Sequence, residues 1–311
     1  MTVSAASSTR AGLVAVSAGA VLWGTTGVAV RIVHDRIGLA AVTIGWIRVL
    51  IAAVVVAAVL GRRAVPSAGA ALRRHPVALV VAGIGFGAYQ ALYFLGVEDV
   101  GVSISTLVSL GIAPVALTIG TAVARRRLPS AGGLAVLALA LLGLGLISLK
   151  PGGAVAPHPL VGVLASVASG LGYAAITAVS RGMSDEDPLL LTGVTSVVAT
   201  VLLLPFALVA GLSLPRDATA GGWLVYIGVV PTVLAYWLFY RGLRSTVSEV
   251  AGVLTLLEPL TAAVAAALVL HESLSPAAVL GAVLMLVAVA SLYVRRPEES
   301  VPELSESPPP P

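Results

Sequence analysis

Ten apolar runs, each near 20 residues and separated by short clusters of Arg, Pro and Gly, dominate this chain. A helix of that length covers ~30 Å, the thickness of the hydrocarbon layer of a bilayer. The runs are continuous and lack polar alternation, which selects helices over strands. They fall near residues 11–30, 38–60, 76–96, 101–124 and 130–149, then 159–180, 189–211, 219–240, 247–270 and 276–294. In hydrocarbon a helix satisfies its own backbone hydrogen bonds, so these runs predict an all-α integral membrane protein of ten transmembrane helices. The charge content agrees. Only 10% of the 311 residues are charged, against roughly 25% in a soluble domain whose surface faces water.

Basic residues set the direction of the spans. With the N-terminus inside, the cytoplasmic side carries Arg10, Arg62, Arg63, Arg73, Arg74, Arg125, Arg126, Arg127, Arg181, Arg241, Arg244, Arg295 and Arg296. The opposite side carries Arg31, Arg36, Lys150 and Arg216, and Arg48 lies inside a run. Thirteen against four predicts both termini in the cytoplasm of a multi-pass protein of the cytoplasmic (inner) membrane. The net charge of +4 is then a topological signal, and no nucleic-acid partner is expected. The apolar stretch after Arg10 exceeds the 7–15 residues of a cleaved signal and reads as the first span. With no Cys, thiolate chemistry, disulfides and Cys-based metal sites are excluded. The tail 297–311, rich in Pro, Glu and Ser, is expected to be disordered. Glu98, Asp99, Asp185, Glu186 and Asp187 fall between runs and are expected to face water.

The two halves resemble each other. Pro114 and Pro259 are 145 residues apart, as are Ser103 and Ser248. Each anchor pair brackets a polar start, an apolar run with a Pro inside it, a short break and a further apolar run. Five spans per half is an odd number, so the second half is expected to be inverted relative to the first. Inverted repeats place a substrate site between the halves near the midplane.

Ionisable groups inside spans are costly unless paired or solvated, which marks them as functional candidates. Glu258, followed by Pro259, lies deep in its run and is a candidate for proton coupling or for binding a substrate amine. The other reading is a carboxylate that bonds a neighbouring helix. Arg48 sits mid-run, and an ion-pairing or structural role is the expected one, with a grip on a substrate carboxylate as the alternative. Trp23, Tyr89, Gln90, Tyr93, Tyr173, Tyr236, Ser105, Ser109, Thr177 and Thr255 are further candidates for substrate binding, offering flat apolar surfaces and polar tips. Ser and Thr also glue membrane helices together, and aromatics also form interfacial belts. Gly83 with Gly87, and Ser166 with Gly170, have the spacing that brings helices close. Pro114 and Pro259 are expected to shape their helices.

Several of these residues carry a family resemblance. Trp23-Gly24, Arg48 within Ile47–Ala53, Ala91–Gly96, Pro114, Leu257-Glu258-Pro259-Leu260, His271-Glu272-Ser273-Leu274 and Gly281 together resemble the EamA-like ten-helix members of the drug/metabolite transporter superfamily. One departure is Arg127-Leu128, where the first repeat of such proteins often carries Glu. It lies at the membrane edge and leaves the fold expectation unchanged. The resemblance implies a cytoplasmic N-terminus at 1–10, a first five-helix repeat at 11–150, a second at 151–296 and a cytoplasmic tail at 297–311. It also implies a secondary transporter that moves metabolites, often amino acids, or drugs outward. Its partners would be the bilayer, a small-molecule substrate and, through Glu258, protons. A channel-like or facilitative permease is the alternative. An intramembrane enzyme is disfavoured because the chain has no His-Glu-x-x-His, no Gly-x-Ser-x-Gly and no carboxylate cluster within spans. No P-loop is present, so ATP drive is not expected. No metal and no cofactor are expected, and the sequence carries no signal for oligomeric state.

Overall fold

The computed structural model describes residues 2–148, 158–212, 217–271 and 273–294, with the backbone alone for 2–9 and 102. Lys150, Arg216, Glu272, Arg295, Arg296 and the tail 297–311 lie outside the described residues. Among the described residues every regular element is a helix. Ten are long and apolar enough to cross a membrane. Spans 1 to 5 are Arg10–Ile37, Ala41–Arg74, Pro76–Gly101, Ser103–Arg125 and Ala131–Ser148. Spans 6 to 10 are Pro159–Arg181, Pro188–Val209, Ala218–Leu243, Ser248–Val269 and Pro276–Val294.

Besides span 2, which holds a 3-10 turn at Gly61–Arg63, three spans are interrupted, and two of these interruptions have a proline as their cause. In span 9 the helix Ser248–Leu254 ends and a second begins at Leu257. Pro259 has no N–H to give the carbonyl four residues back, that of Thr255, and its ring crowds that carbonyl. Glu258 N–H bonds Thr255 O instead, at 3.0 Å. In span 8 the segment Val229–Leu234 is π-helical around Pro231. The carbonyl that Pro231 leaves without its usual donor, Ile227 O, accepts the Thr232 hydroxyl at 2.8 Å. Span 1 breaks at Thr25, whose hydroxyl donates to Leu22 O at 2.7 Å and accepts from the Tyr226 hydroxyl at 2.9 Å. Pro114, by contrast, stays inside an unbroken helical stretch.

Two expected loops are helical. The stretch after span 2's Leu60 was expected as a loop to residue 75, but it holds a 3-10 turn Gly61–Arg63 and a helix Ala64–Arg74. That helix is short and polar on one side, so it leaves no long apolar run to detect. The expected break at 97–100 shrinks to Gly101. At φ 80°, ψ 163° its backbone takes a conformation open to glycine alone, and the chain folds back there.

Close approach of small residues decides the packing. Span 1 packs on spans 8 and 9, span 2 on 7 and 8, and span 3 on 6 and 7. Span 4 packs on 6 and 9, and span 5 on 10. Gly83 and Gly87 face Val198 and Leu202 of span 7, while Gly170 faces Ile112 of span 4. A Cβ on Gly143 would lie 2.6 Å from Gly281 O, and one on Gly281 would lie 2.5 Å from Gly143 O, so spans 5 and 10 touch backbone to backbone. Outward-facing positions such as Val59, Ile119, Val123, Leu142, Val201 and Leu268 are exposed and apolar. Such a surface is suited to lipid and would aggregate in water.

The end of the bundle that carries Arg74, Arg125, Arg181 and Arg244 is cross-tied. Arg74 pairs with Glu186 at 3.2 Å, and Arg244 donates to Glu186 O at 2.7 Å. Arg181 donates to Thr246 O, and Arg125 lies 3.8 Å from Glu249. Glu186, expected to face water, is 3% exposed. The guanidinium of Arg74, brought from more than a hundred residues away, supplies the compensation that burial demands. Asp185 remains exposed, and the hydrogen bond from His75 holds its carboxyl below the usual carboxylate range. Asp187 caps span 7 by accepting from Leu189 N at 2.8 Å. Asp99 likewise meets a partner, His158, at 3.3 Å.

Candidate functional site

The interrupted helices bring aromatic and charged side chains to one place. Trp23 ends the first half of span 1, Tyr236 follows the π turn of span 8, and Glu258 follows the break in span 9. Irregular backbone at membrane depth is tolerated where protein or a cavity surrounds it. Spans 2, 3 and 6 add Arg48, Tyr89, Gln90, Tyr93 and Tyr173.

The aromatic rings form one continuous cluster. Trp23 lies 4.7 Å from Tyr236, 5.2 Å from Phe239 and 6.3 Å from Tyr173 between ring centroids. Tyr89 lies 5.7 Å from Tyr173, and its hydroxyl is 2.6 Å from that of Tyr236. Phe86 meets Tyr236 edge to face at 4.7 Å. Beside this cluster Arg48 donates to Gln90 Oε1, and Gln90 Nε2 donates to Phe86 O at 3.0 Å. Arg48 stands within electrostatic reach of Tyr89, Tyr236 and Glu258, and Glu258 within reach of Tyr89, Tyr93 and Tyr173. Arg48, Tyr89 and Glu258 are half-buried, whereas Trp23, Tyr173 and Tyr236 are buried. Trp23 Nε1 and Arg48 Nε are enclosed without a hydrogen-bond partner among the described residues.

Not every sequence candidate joins this cluster. Ser105 donates to Tyr93 O at 3.3 Å and accepts from Ser166 Oγ at 3.0 Å, while Ser109 donates to Ser166 O at 3.0 Å. Both hydroxyls are therefore used between spans 3, 4 and 6. Tyr93 turns its hydroxyl to Thr106 at 2.8 Å. Thr177 and Thr255 lie beside the Tyr173 hydroxyl but donate to carbonyls of their own helices, Tyr173 O and Gly252 O. Pro114 packs against Gly252, a contact between spans 4 and 9. Trp23-Gly24 and Glu258-Pro259 meet directly: a Cβ on Gly24 would lie 2.5 Å from Glu258 O. Phe86 and Phe239 belong to the cluster but escape a search for polar tips, since Phe has none.

Removing one hydroxyl tests how tightly the cluster is joined. Tyr236→Phe is expected to lower stability by about 1 kcal/mol, because it strands the Tyr89 hydroxyl. Thermal unfolding in detergent checks this, and an unchanged midpoint would refute the pairing.

Two surface clefts lie at the arginine-rich end, away from the aromatic cluster. One of about 470 Å³ runs between spans 4, 6 and 9 and is edged by Arg125, Arg181 and Glu249. The other, of about 410 Å³, is edged by Ser67, Arg74, Asp185 and Glu186.

Comparison with known proteins gives a consistent set of relatives. Residues 160–294 match the family model described as the EamA-like transporter family. An uncharacterized transporter of Bacillus subtilis (strain 168), YwfM, is 30% identical over 211 residues, covering 67% of this chain and 70% of that protein. An uncharacterized transporter of Haemophilus influenzae is 34% identical over 121 residues, covering 37% of this chain and 70% of that protein. A solved crystal structure superposes with a TM-score of 0.77 at 19% identity, covering 94% of this chain and 99% of that chain, which is a likeness of fold. With ten membrane-crossing helices and relatives of this kind, the chain is a multi-pass membrane protein that belongs to the EamA-like transporter family.

Proposed function

We propose that this protein is a secondary transporter that exports small amphoteric metabolites, amino acids or related compounds, by alternating access across the cytoplasmic membrane. Family membership supports the coarser statement, a membrane transporter of small solutes. One observation carries the finer one. Arg48 and Glu258, charged groups deep in different halves of the chain, flank one aromatic cluster, and three enclosed donors there, Trp23 Nε1, Arg48 Nε and the Tyr173 hydroxyl, lack acceptors among the described residues. A substrate carboxylate would satisfy such donors, a substrate amine would meet Glu258, and an apolar side chain would pack on the rings.

The inverted-repeat reading, with halves 11–150 and 151–296, draws support from the packing. Exchanging the two sets of five spans turns the 1–8 contact into 6–3, 1–9 into 6–4 and 2–8 into 7–3. The 2–7, 4–9 and 5–10 contacts return to themselves. A site on such a pseudo-axis can be opened to either side by rocking one half against the other. With both termini in the cytoplasm, as the distribution of basic residues favours, the cross-tied arginine-rich end would lie inside, where those ion pairs would have to part in each cycle.

The test is counterflow. Purified protein in liposomes, preloaded with unlabelled compound, is offered a labelled panel of amino acids and metabolites, with protein-free liposomes as control. Transient, saturable accumulation of amphoteric compounds is expected. Linear, non-saturating flux would instead favour a channel-like permease, and accumulation confined to compounds lacking an amine or a carboxylate would overturn the substrate class.

A further inference from the structure

The arginine-rich end holds a side-chain cluster that takes no part in the aromatic site. His75 lies between the helix Ala64–Arg74 and span 3, while Asp185 and Glu186 lie between spans 6 and 7. His75 Nε2 is 3.2 Å from Asp185 Oδ2 and 3.6 Å from Glu186 Oε1. The three potential ligand atoms lie within 4.8 Å of one another. Two donors bound to one cation at ~2.1 Å, with an angle between tetrahedral and octahedral, stand ~3.0–3.4 Å apart. Two of the separations are therefore already close to those of a shared ion, which would take the place of the proton that now joins His75 to Asp185.

The partners of Glu186 point the same way. Its side chain is 3% exposed, and Oε2 accepts from Arg74 Nη2 at 3.2 Å. Its main-chain oxygen accepts from Arg244 at 2.7 Å. Oε1, the oxygen turned toward His75, is enclosed and has no hydrogen bond among the described residues. An enclosed carboxylate oxygen without a donor is costly, and a cation at that point would remove the cost. Arg74 occupies the other oxygen and so does not block the position. The adjoining cleft of about 410 Å³ leaves room for water to complete a coordination shell. One imidazole with two carboxylates is a donor set suited to borderline and hard divalent ions.

We propose that His75, Asp185 and Glu186 bind a divalent transition-metal cation of the Zn²⁺ or Mn²⁺ class. The ion would staple the segment before span 3 to the segment after span 6. It would thereby hold the arginine-rich end of the bundle closed. No spacing motif announces this site, because His75 and Asp185 are 110 residues apart in the chain.

The experiment uses the full chain, purified in detergent and stripped with chelator. Zn²⁺ titration followed by calorimetry is expected to show saturable binding near one ion per chain, and Zn²⁺ is expected to raise the unfolding midpoint by several degrees. His75→Ala and Asp185→Asn are each expected to weaken binding at least tenfold and to remove the thermal shift. His158→Ala, at the other end of the bundle, is expected to leave both intact. The metal-free midpoints of the variants report whether each one is folded. Absence of saturable binding by the wild-type chain would overturn the proposal. So would folded His75→Ala and Asp185→Asn variants that bind Zn²⁺ as the wild type does.

Discussion

Glu258→Gln is expected to abolish the dependence of transport on a proton gradient while leaving counterflow in place. Gln keeps the shape and the hydrogen-bonding reach of the carboxyl but can neither take up nor release a proton. If one proton moves per cycle, one pH unit supports about tenfold accumulation of substrate in wild-type liposomes, the equivalent of 1.36 kcal/mol. In the variant that gradient-driven accumulation should fall to the level without a gradient. The surroundings of Glu258 are what suggest this role. Glu258 is half-buried, it follows the break at Thr255 and Leu256, and it stands within reach of Arg48 and three tyrosines. Glu249→Gln, a change at the arginine-rich end where that carboxylate meets Thr121 and Arg125, is the control expected to keep gradient dependence. A gradient response in Glu258→Gln equal to that of the wild type would rule out proton coupling through this residue.

The second large effect concerns the contact between spans 5 and 10. Gly143→Leu is expected to destabilise the protein by about 1–3 kcal/mol or to prevent its accumulation, whereas Gly145→Leu is expected to be nearly neutral. A Cβ at 143 would sit 2.6 Å from Gly281 O and 3.0 Å from Met285 N, and neither backbone atom can turn aside. A Cβ at 145, on the same helix, meets nothing within 4 Å among the described residues. Both substitutions add the same apolar volume to an apolar helix, so hydropathy and helix propensity cannot distinguish them. Lipid is as apolar as the helix faces, so association rests on close van der Waals approach, and a gap forced at Gly143 has no hydrophobic compensation. Unfolding midpoints in detergent decide the matter. Equal losses from the two variants would refute backbone contact at Gly143.

How much was legible in the chain varies from element to element. Spans 5, 6, 7 and 10 are found within about two residues of their apolar runs, since hydrocarbon demands length and continuity and nothing else competes. The helix Ala64–Arg74 was not legible, because it is held by contacts with span 3 and span 7 rather than by a long apolar stretch. Pro259 signalled an irregular span 9, yet the break falls four residues earlier, where the missing N–H is felt. Pro114 carried the same signal and its helix continues. Among the site residues, Glu258 and Arg48 were visible because charge is conspicuous in an apolar run. Their convergence with Trp23, Tyr89, Tyr173 and Tyr236 was not. Ser105 and Ser109 share the chemistry of a substrate contact, but span 6 takes up their hydroxyls.

The sequence by itself determined the solvent of this protein and the number of its spans, and marked Pro259, Gly83, Gly87 and Gly170 among the points at which they bend or touch. Each of those follows from local physics: the apolar length a bilayer requires, the N–H a proline lacks, the Cβ a glycine lacks. Only the tertiary structure decided which side chains share a site. Hydroxyl, ring and carboxylate partners come from spans tens to hundreds of residues apart, as Trp23 does with Tyr236, Arg48 with Gln90, and His75 with Asp185. No periodicity within one helix encodes the helix it will meet, because that choice rests on shape complementarity across the bundle.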